Sequence, residues 1–169
     1  MKLRHYRPDD AGALATIMRR SIESLGPRHY TTEQVAAWAA AALDAEDMAL
    51  RLGDGRTVLV AVDVHDQAVA FGDLEAHGHI DLLFALPEAA GRGVAAAILE
   101  ALEMVARTDA LMQLTVEASE GAKGLFTRQG FMLVARNDLT LGGVAIHNWR
   151  MEKRLQRQSS SHLRLPSRG

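Results

Sequence analysis

PEAAGRGVA, residues 87–95, is the stretch on which the reading of this chain turns. An apolar run with strand character, residues 79–86, leads into it. An amphipathic helix over 94–107 leads out, with Val94, Ile98, Leu102 and Val105 on one stripe. Gly91 and Gly93 permit positive φ and close approach by a ligand. The first amides of the following helix point, with the positive end of its dipole, at any anion placed there. Strand, glycine turn and helix in that order make a diphosphate site. In the next run, 111–118, Leu114, Val116 and Ala118 alternate with Gln113, Thr115 and Glu117, which completes a crossover unit.

Outward from this unit, the N-terminal side reads as a strand over 2–6 and a helix started by Asp9 and Asp10. Leu14, Ile17, Met18, Ser21, Ile22 and Leu25 lie on one face of that helix, which ends near Gly26-Pro27. Thr31 with Gln34 fits a capping box for a shorter second helix carrying Val35, Trp38, Ala39 and Leu43. Strands over 57–62, 68–75 and 79–86 are joined by short turns, which implies antiparallel neighbours. On the C-terminal side a poor helix runs from Ser119 and stops at Gly130. Strands over 131–135 and 144–151 close a single domain over residues 1–155, and a serine- and arginine-rich tail over 156–169 is expected to be disordered.

With 169 residues and 48% apolar side chains, one domain can bury a core of its own. Nineteen basic against 21 acidic residues give a net charge of −2, so no basic field recruits nucleic acid or an anionic membrane. The absence of cysteine excludes disulfides, thiolate metal sites and cysteine nucleophiles. Residues 1–10, MKLRHYRPDD, carry no apolar signal segment and no run reaches membrane-spanning length, so a cytoplasmic location is expected.

Three phosphate-binding readings compete for the glycine turn. A Walker loop fails because Val94-Ala95 follow Gly93 where lysine and a hydroxyl residue are required. Gly91, Gly93 and Ala96 satisfy a dinucleotide fingerprint, with Glu117 about 20 residues on, but the preceding hairpins do not supply the successive crossovers of that fold. A purely structural glycine turn is the third reading.

The ordered chain resembles the GNAT superfamily of acyl-CoA-dependent N-acyltransferases. ALPEAAGRGVAAAILEALE, then LTVEAS, then LFTRQGF follow one another in the order and spacing of that family's cofactor core. The family signature maps onto Ala90, Gly91, Arg92, Gly93, Val94 and Ala95, with Ala90 replacing the usual glutamine or arginine. The resemblance implies an α/β domain of α+β type: a mixed, mostly antiparallel central sheet flanked by helices, with the strand, glycine turn and helix as its cofactor site. It implies acetyl-CoA as acyl donor and direct transfer, in a ternary complex, to a primary amine of a small molecule or peptide.

The same resemblance implies site residues. Phe84, Ala85 and Leu86 pair with the pantetheine arm, Ser119 takes the place of an asparagine near the cofactor, and Phe126 stands where the family usually carries a tyrosine general acid. Asp81, with Glu75 as alternative, falls where some members carry a carboxylate base. Tyr30, Trp38 and His147 fall where the family builds its acceptor pocket. His77 and His79 share a strand face with Asp81, but no metal is expected. Partners are expected to be an amine-bearing small molecule or peptide, with a homodimer allowed for, and neither nucleic acid nor membrane. Phe126 motivates an alternative, an acyl-CoA-binding sensor of weak activity. A dinucleotide enzyme is the third reading.

Overall fold

A computed structural model describes residues 1–156; the rest of the tail expected to be disordered, from residue 157, lies outside the described residues. In chain order the elements are β1 (Lys2–His5), α1 (Ala11–Leu25), α2 (Thr32–Ala40), α3 (Ala45–Leu52), β2 (Thr57–Val62), β3 (Ala68–Leu74), β4 (His79–Ile80), β5 (Leu83–Ala85), α4 (Val94–Thr108), β6 (Gln113–Ala118), α5 (Lys123–Arg128), β7 (Met132–Leu141) and β8 (Val144–Arg154). The strands form two four-stranded sheets, β1-β2-β3-β5 and β4-β6-β8-β7. Every pair is antiparallel except β4 with β6, the ends of the crossover through α4.

Both faces of the first sheet are covered, which is why β2 reads TVLVAV without polar alternation. Val58, Val60 and Val62 turn toward α1, meeting Leu14, Ile17, Met18 and Ile22 together with Phe71. Leu59 and Ala61 turn the other way, toward Ile98, Leu99, Leu102 and Ala106 of α4. That cluster continues into the second sheet through Leu114, Val116, Ala118 and Met151, so α4 bridges the two sheets. At Gly72 of β3 a Cβ would stand 2.8 Å from Ile98 and 2.9 Å from Leu83, so only glycine lets α4 and β5 approach this closely.

The expected strand over 79–86 is two strands in different sheets. Its middle leaves the ladder because Asp73, on neighbouring β3, offers its carboxylate to the amides of Asp81 at 2.9 Å and Leu82 at 2.8 Å. Other differences are local. Helix α3 lies in a segment to which the sequence pattern assigns no element; Asp44 caps it, accepting the Asp47 amide at 2.8 Å, and Met48 and Leu52 are its buried face. The closing hairpin is longer than expected, because Arg136, Asn137 and Asp138, residues with turn character, stay extended opposite Trp149, Asn148 and His147. The poor helix after β6 shrinks to Lys123–Arg128. The Thr31–Gln34 capping box forms with both of its hydrogen bonds.

Candidate active site

Because β4 pairs with β6 and β5 goes with the other sheet, a cleft opens between β5 and the far end of β6. Among the described residues, β6 has β4 beside Thr115 and Val116 only, and β5 has β3 on one edge and no strand on the other. A cavity of about 550 Å³ fills this opening, of a size typical of small-molecule sites. Leu83, Phe84 and Ala85 form one wall, and Ser119, Gly121, Ala122 and Leu125 face them. The glycine turn and first residues of α4 close one end, and the α1–α2 connection, with Tyr30 and Trp38, covers the other.

At the glycine end, Gly91 has φ +74° and Gly93 φ +76°, backbone that disfavours any side chain. No side chain caps α4, and Ala97 is the first of its residues to bond a carbonyl, that of Gly93 at 3.0 Å. The amides of Val94, Ala95 and Ala96 thus precede the helical ladder and have no helical carbonyl to bond, as the donors of an anion site require. Arg92 in the turn makes no ion pair among the described residues.

At the opposite end Tyr30 ties the two halves of the molecule together. Its hydroxyl donates to the His147 carbonyl at 3.0 Å and accepts the Glu120 amide at 2.8 Å. Burial pushes its pKa up. The Tyr30 ring meets Trp38 edge-on at 5.6 Å, and Trp38 reaches Phe84 at 6.4 Å, so three aromatic rings form the end wall. Glu120 accepts from Trp149 Nε1 and from His147 Nε2, the latter at 2.6 Å, and these bonds hold its carboxyl below the usual range.

The structure gathers most, not all, of the expected site residues. Phe84, Ala85, Ala90, Gly91, Gly93, Val94, Ala95, Ser119, Tyr30 and Trp38 all line the cavity. Leu86 packs between the two core clusters, Arg92 is exposed in the turn, and His147 borders a separate recess beside β7. Phe126 is 1% exposed and packs edge-on against Phe131 at 5.1 Å, while its neighbour Leu125 faces the cavity.

Asp81 and Glu75 do not line the cavity. Both belong to a charge cluster around Arg56, whose Nη1 lies 2.7 Å from Asp73, 3.0 Å from Asp81 and 3.9 Å from Glu75, while its other edge holds Asp54. Arg51 adds a second bond to Asp81 at 3.3 Å. Glu75, His79 and Asp81 bring ligand atoms within 4.8 Å of one another, but the Arg56 guanidinium already supplies the positive charge there. Residues that the sequence reading did not single out complete the cavity: Arg28, His29, Gly121, Arg128 and Gln129. Nothing in their local sequence marks them, because they come together only where the α1–α2 connection, the loop after β6 and the C-terminal end of α5 meet.

A family model described as an acetyltransferase (GNAT) domain matches residues 27–154. An uncharacterized N-acetyltransferase of Escherichia coli K12, YafP, is 33% identical over 156 residues, covering 92% of this chain and 97% of its own. The crystal structure of a GCN5-related N-acetyltransferase from Rhodopseudomonas palustris superposes with a TM-score of 0.84 at 37% identity, over 91% of this chain and 95% of that one. PaiA N-acetyltransferase from Thermoplasma acidophilum, solved with coenzyme A, shares the fold at 16% identity, with a TM-score of 0.73 over 91% of this chain and 98% of its own. Among the described residues no helix is long and apolar enough to cross a membrane.

Proposed function

The chain belongs to the GNAT acetyltransferases, and on that premise we propose that it moves an acetyl group from acetyl-CoA to a primary amine of a small molecule or peptide, directly, with both bound at once. One observation carries the reading: a single cavity runs from an anion-binding helix start, along the free edge of a strand, to an aromatic end wall. The amides at the start of α4 take the diphosphate, and Arg92 adds charge. The free edge of β5 receives the pantetheine arm as a further strand would be received. A β5 amide directed at the thioester carbonyl stabilises the developing oxyanion by about 3 kcal/mol. Tyr30, Trp38 and Phe84 form the wall against which the acceptor lies.

Position 126 has no proton to give, and Phe126 is buried in the core. A thiolate with a conjugate pKa of about 8.5 leaves without an acid, so turnover survives this substitution. Aliphatic ammonium groups, with pKa values of about 10.4, are scarcely deprotonated near neutrality, so a base is required.

Thiol release from acetyl-CoA, measured across a panel of primary amines, tests the reading, alongside thermal shifts with acetyl-CoA and with NAD. Amine-dependent thiol release with stabilisation by acetyl-CoA is the expected result. Stabilisation without release from any amine would make the protein the acyl-CoA sensor that Phe126 motivates, and stabilisation by NAD alone would overturn both.

A further inference from the structure

Resting on this acetyl-transfer reading, we infer that His29 is the base that takes the proton from the acceptor ammonium. Among the described residues lining the cavity there is no aspartate or glutamate. Asp81 and Glu75 are bound to Arg56 away from its walls. Arg28 and Arg128 keep their protons throughout the working pH range, and serine hydroxyls are poor bases. Two lining side chains with suitable acid–base chemistry are left, Tyr30 and His29. The Tyr30 hydroxyl is 3.0 Å from one partner and 2.8 Å from another, and its residue is 7% exposed, so it serves as a fixed tie.

The His29 ring makes no hydrogen bond or ion pair among the described residues. One nitrogen of a neutral imidazole is an acceptor, and imidazole is the side chain that changes charge nearest neutrality. His29 lines the same cavity as Leu83, Phe84 and Ala85 of β5. A Cβ at Gly121 would stand 3.0 Å from its Cδ2 and 3.3 Å from its Nε2, so its Nε2 edge lies against the 119–122 loop. Glycine at 121 leaves the room the ring occupies. The charged groups nearby are Arg28 on its own turn, Arg128 on α5 in the same cavity, and Glu120 on the facing loop, whose carboxylate is engaged by His147 and Trp149.

In the step, an ammonium N–H bond breaks and its proton passes to His29. The freed lone pair forms the C–N bond at the thioester carbonyl, and the C–S bond breaks with its electron pair left on sulfur. The second proton, shed by the new amide nitrogen, ends on that thiolate. His29, an exposed residue, returns its own proton to water.

The test uses the full chain with acetyl-CoA and the best amine of the panel, comparing wild type with His29→Ala and His29→Gln. Both variants are expected to lose about 100-fold or more in kcat/KM, to lose the acid limb of the pH profile, and to bind coenzyme A within about two-fold of wild type. Added imidazole restores part of the activity of His29→Ala. Independently of turnover, the His29 ring resonances of wild type shift on adding acetyl-CoA. A retained acid limb, activity within about three-fold of wild type, or ring signals indifferent to acetyl-CoA overturns the assignment while leaving the acetyl-transfer reading intact. A wild type that releases no thiol with any amine overturns that reading and, with no proton to remove, this assignment too.

Discussion

Asp73 and Leu82 are joined twice: the Asp73 amide donates to the Leu82 carbonyl at 3.0 Å, and the Leu82 amide donates to the Asp73 carboxylate at 2.8 Å. The same carboxylate takes the Asp81 amide at 2.9 Å, and its other oxygen takes Arg56 at 2.7 Å. A wholly buried carboxyl is pushed up by burial and drawn back by these donors. Here the carboxylate satisfies the two amides, of Asp81 and Leu82, that lie between β4 and β5. At the branch point this one side chain takes up two amides, while the main chain at Asp73 and Glu75 still bonds Leu82 and His79 on either side.

Asp73→Ala should therefore cost about 3–5 kcal/mol, because Arg56 loses a buried partner and two amides go unpaired. Urea unfolding gives the magnitude. Asp73→Asn keeps an acceptor for the amides and should lose less; equal losses would show that the hydrogen bonds at the branch contribute nothing.

Gly93→Glu should abolish measurable coenzyme A binding by calorimetry, since it places a carboxylate at the anion end and forces a side chain onto φ +76°. Open space surrounds the added Cβ, so Gly93→Ala should cost only the backbone strain, about 1–2 kcal/mol. Undiminished binding by the glutamate variant would place the diphosphate elsewhere.

Gly72→Ala should destabilise the fold by about 1–3 kcal/mol, because its methyl meets Ile98 and Leu83 at under 3.0 Å. Leu83 lies on the cavity wall, so coenzyme A affinity should fall together with the melting temperature. A Leu83→Ala second substitution should recover part of the loss.

Asp81→Asn should leave the acid limb of the pH profile in place while lowering thermal stability, since Asp81 meets Arg56 and Arg51 and not the cavity. Loss of that limb would return the base to Asp81 and remove it from His29.

Arg4 holds Asp10 in a two-bonded pair at 2.8 and 2.9 Å, and the Arg7 amide adds a third bond at 2.7 Å. Hydrogen bonding from Arg4, above all, keeps the Asp10 carboxyl below its ordinary range. A depressed folded pKa means stability that is fully present above the unfolded value of about 3.9 and is lost as pH falls through the folded one. Chemical denaturation should show wild type more stable than Asp10→Asn at pH 6 to 7, with the gap closing in acid. A gap constant down to about pH 2 would mean that the pair contributes nothing through its charge.

Much of this molecule is written locally. The helix faces of α1 and α4, the Thr31–Gln34 cap and the alternation in β6 follow from periodicity and short-range hydrogen bonding. The glycine turn follows from the freedom of Gly91 and Gly93 together with the dipole of the helix behind them. Strand β7 runs past its expected end at Ala135, because pairing with β8 keeps Arg136, Asn137 and Asp138 extended despite their low strand preference. Helix α3 is marked in the sequence only by Asp44, Met48 and Leu52, three positions, too few to establish a helical period.

The sequence by itself determined that a glycine turn joins a strand to a helix within a mixed sheet, because those features depend on neighbours a few residues apart. It could not determine that 79–86 divides between two sheets, since the group dividing it, Asp73, lies on a different strand. Nor could it place His29 in the cavity or Asp81 outside it. Those positions depend on which segments meet across the cleft, and the packing of α4 against both sheets, with the tie from Tyr30 to Glu120 and His147, decides that.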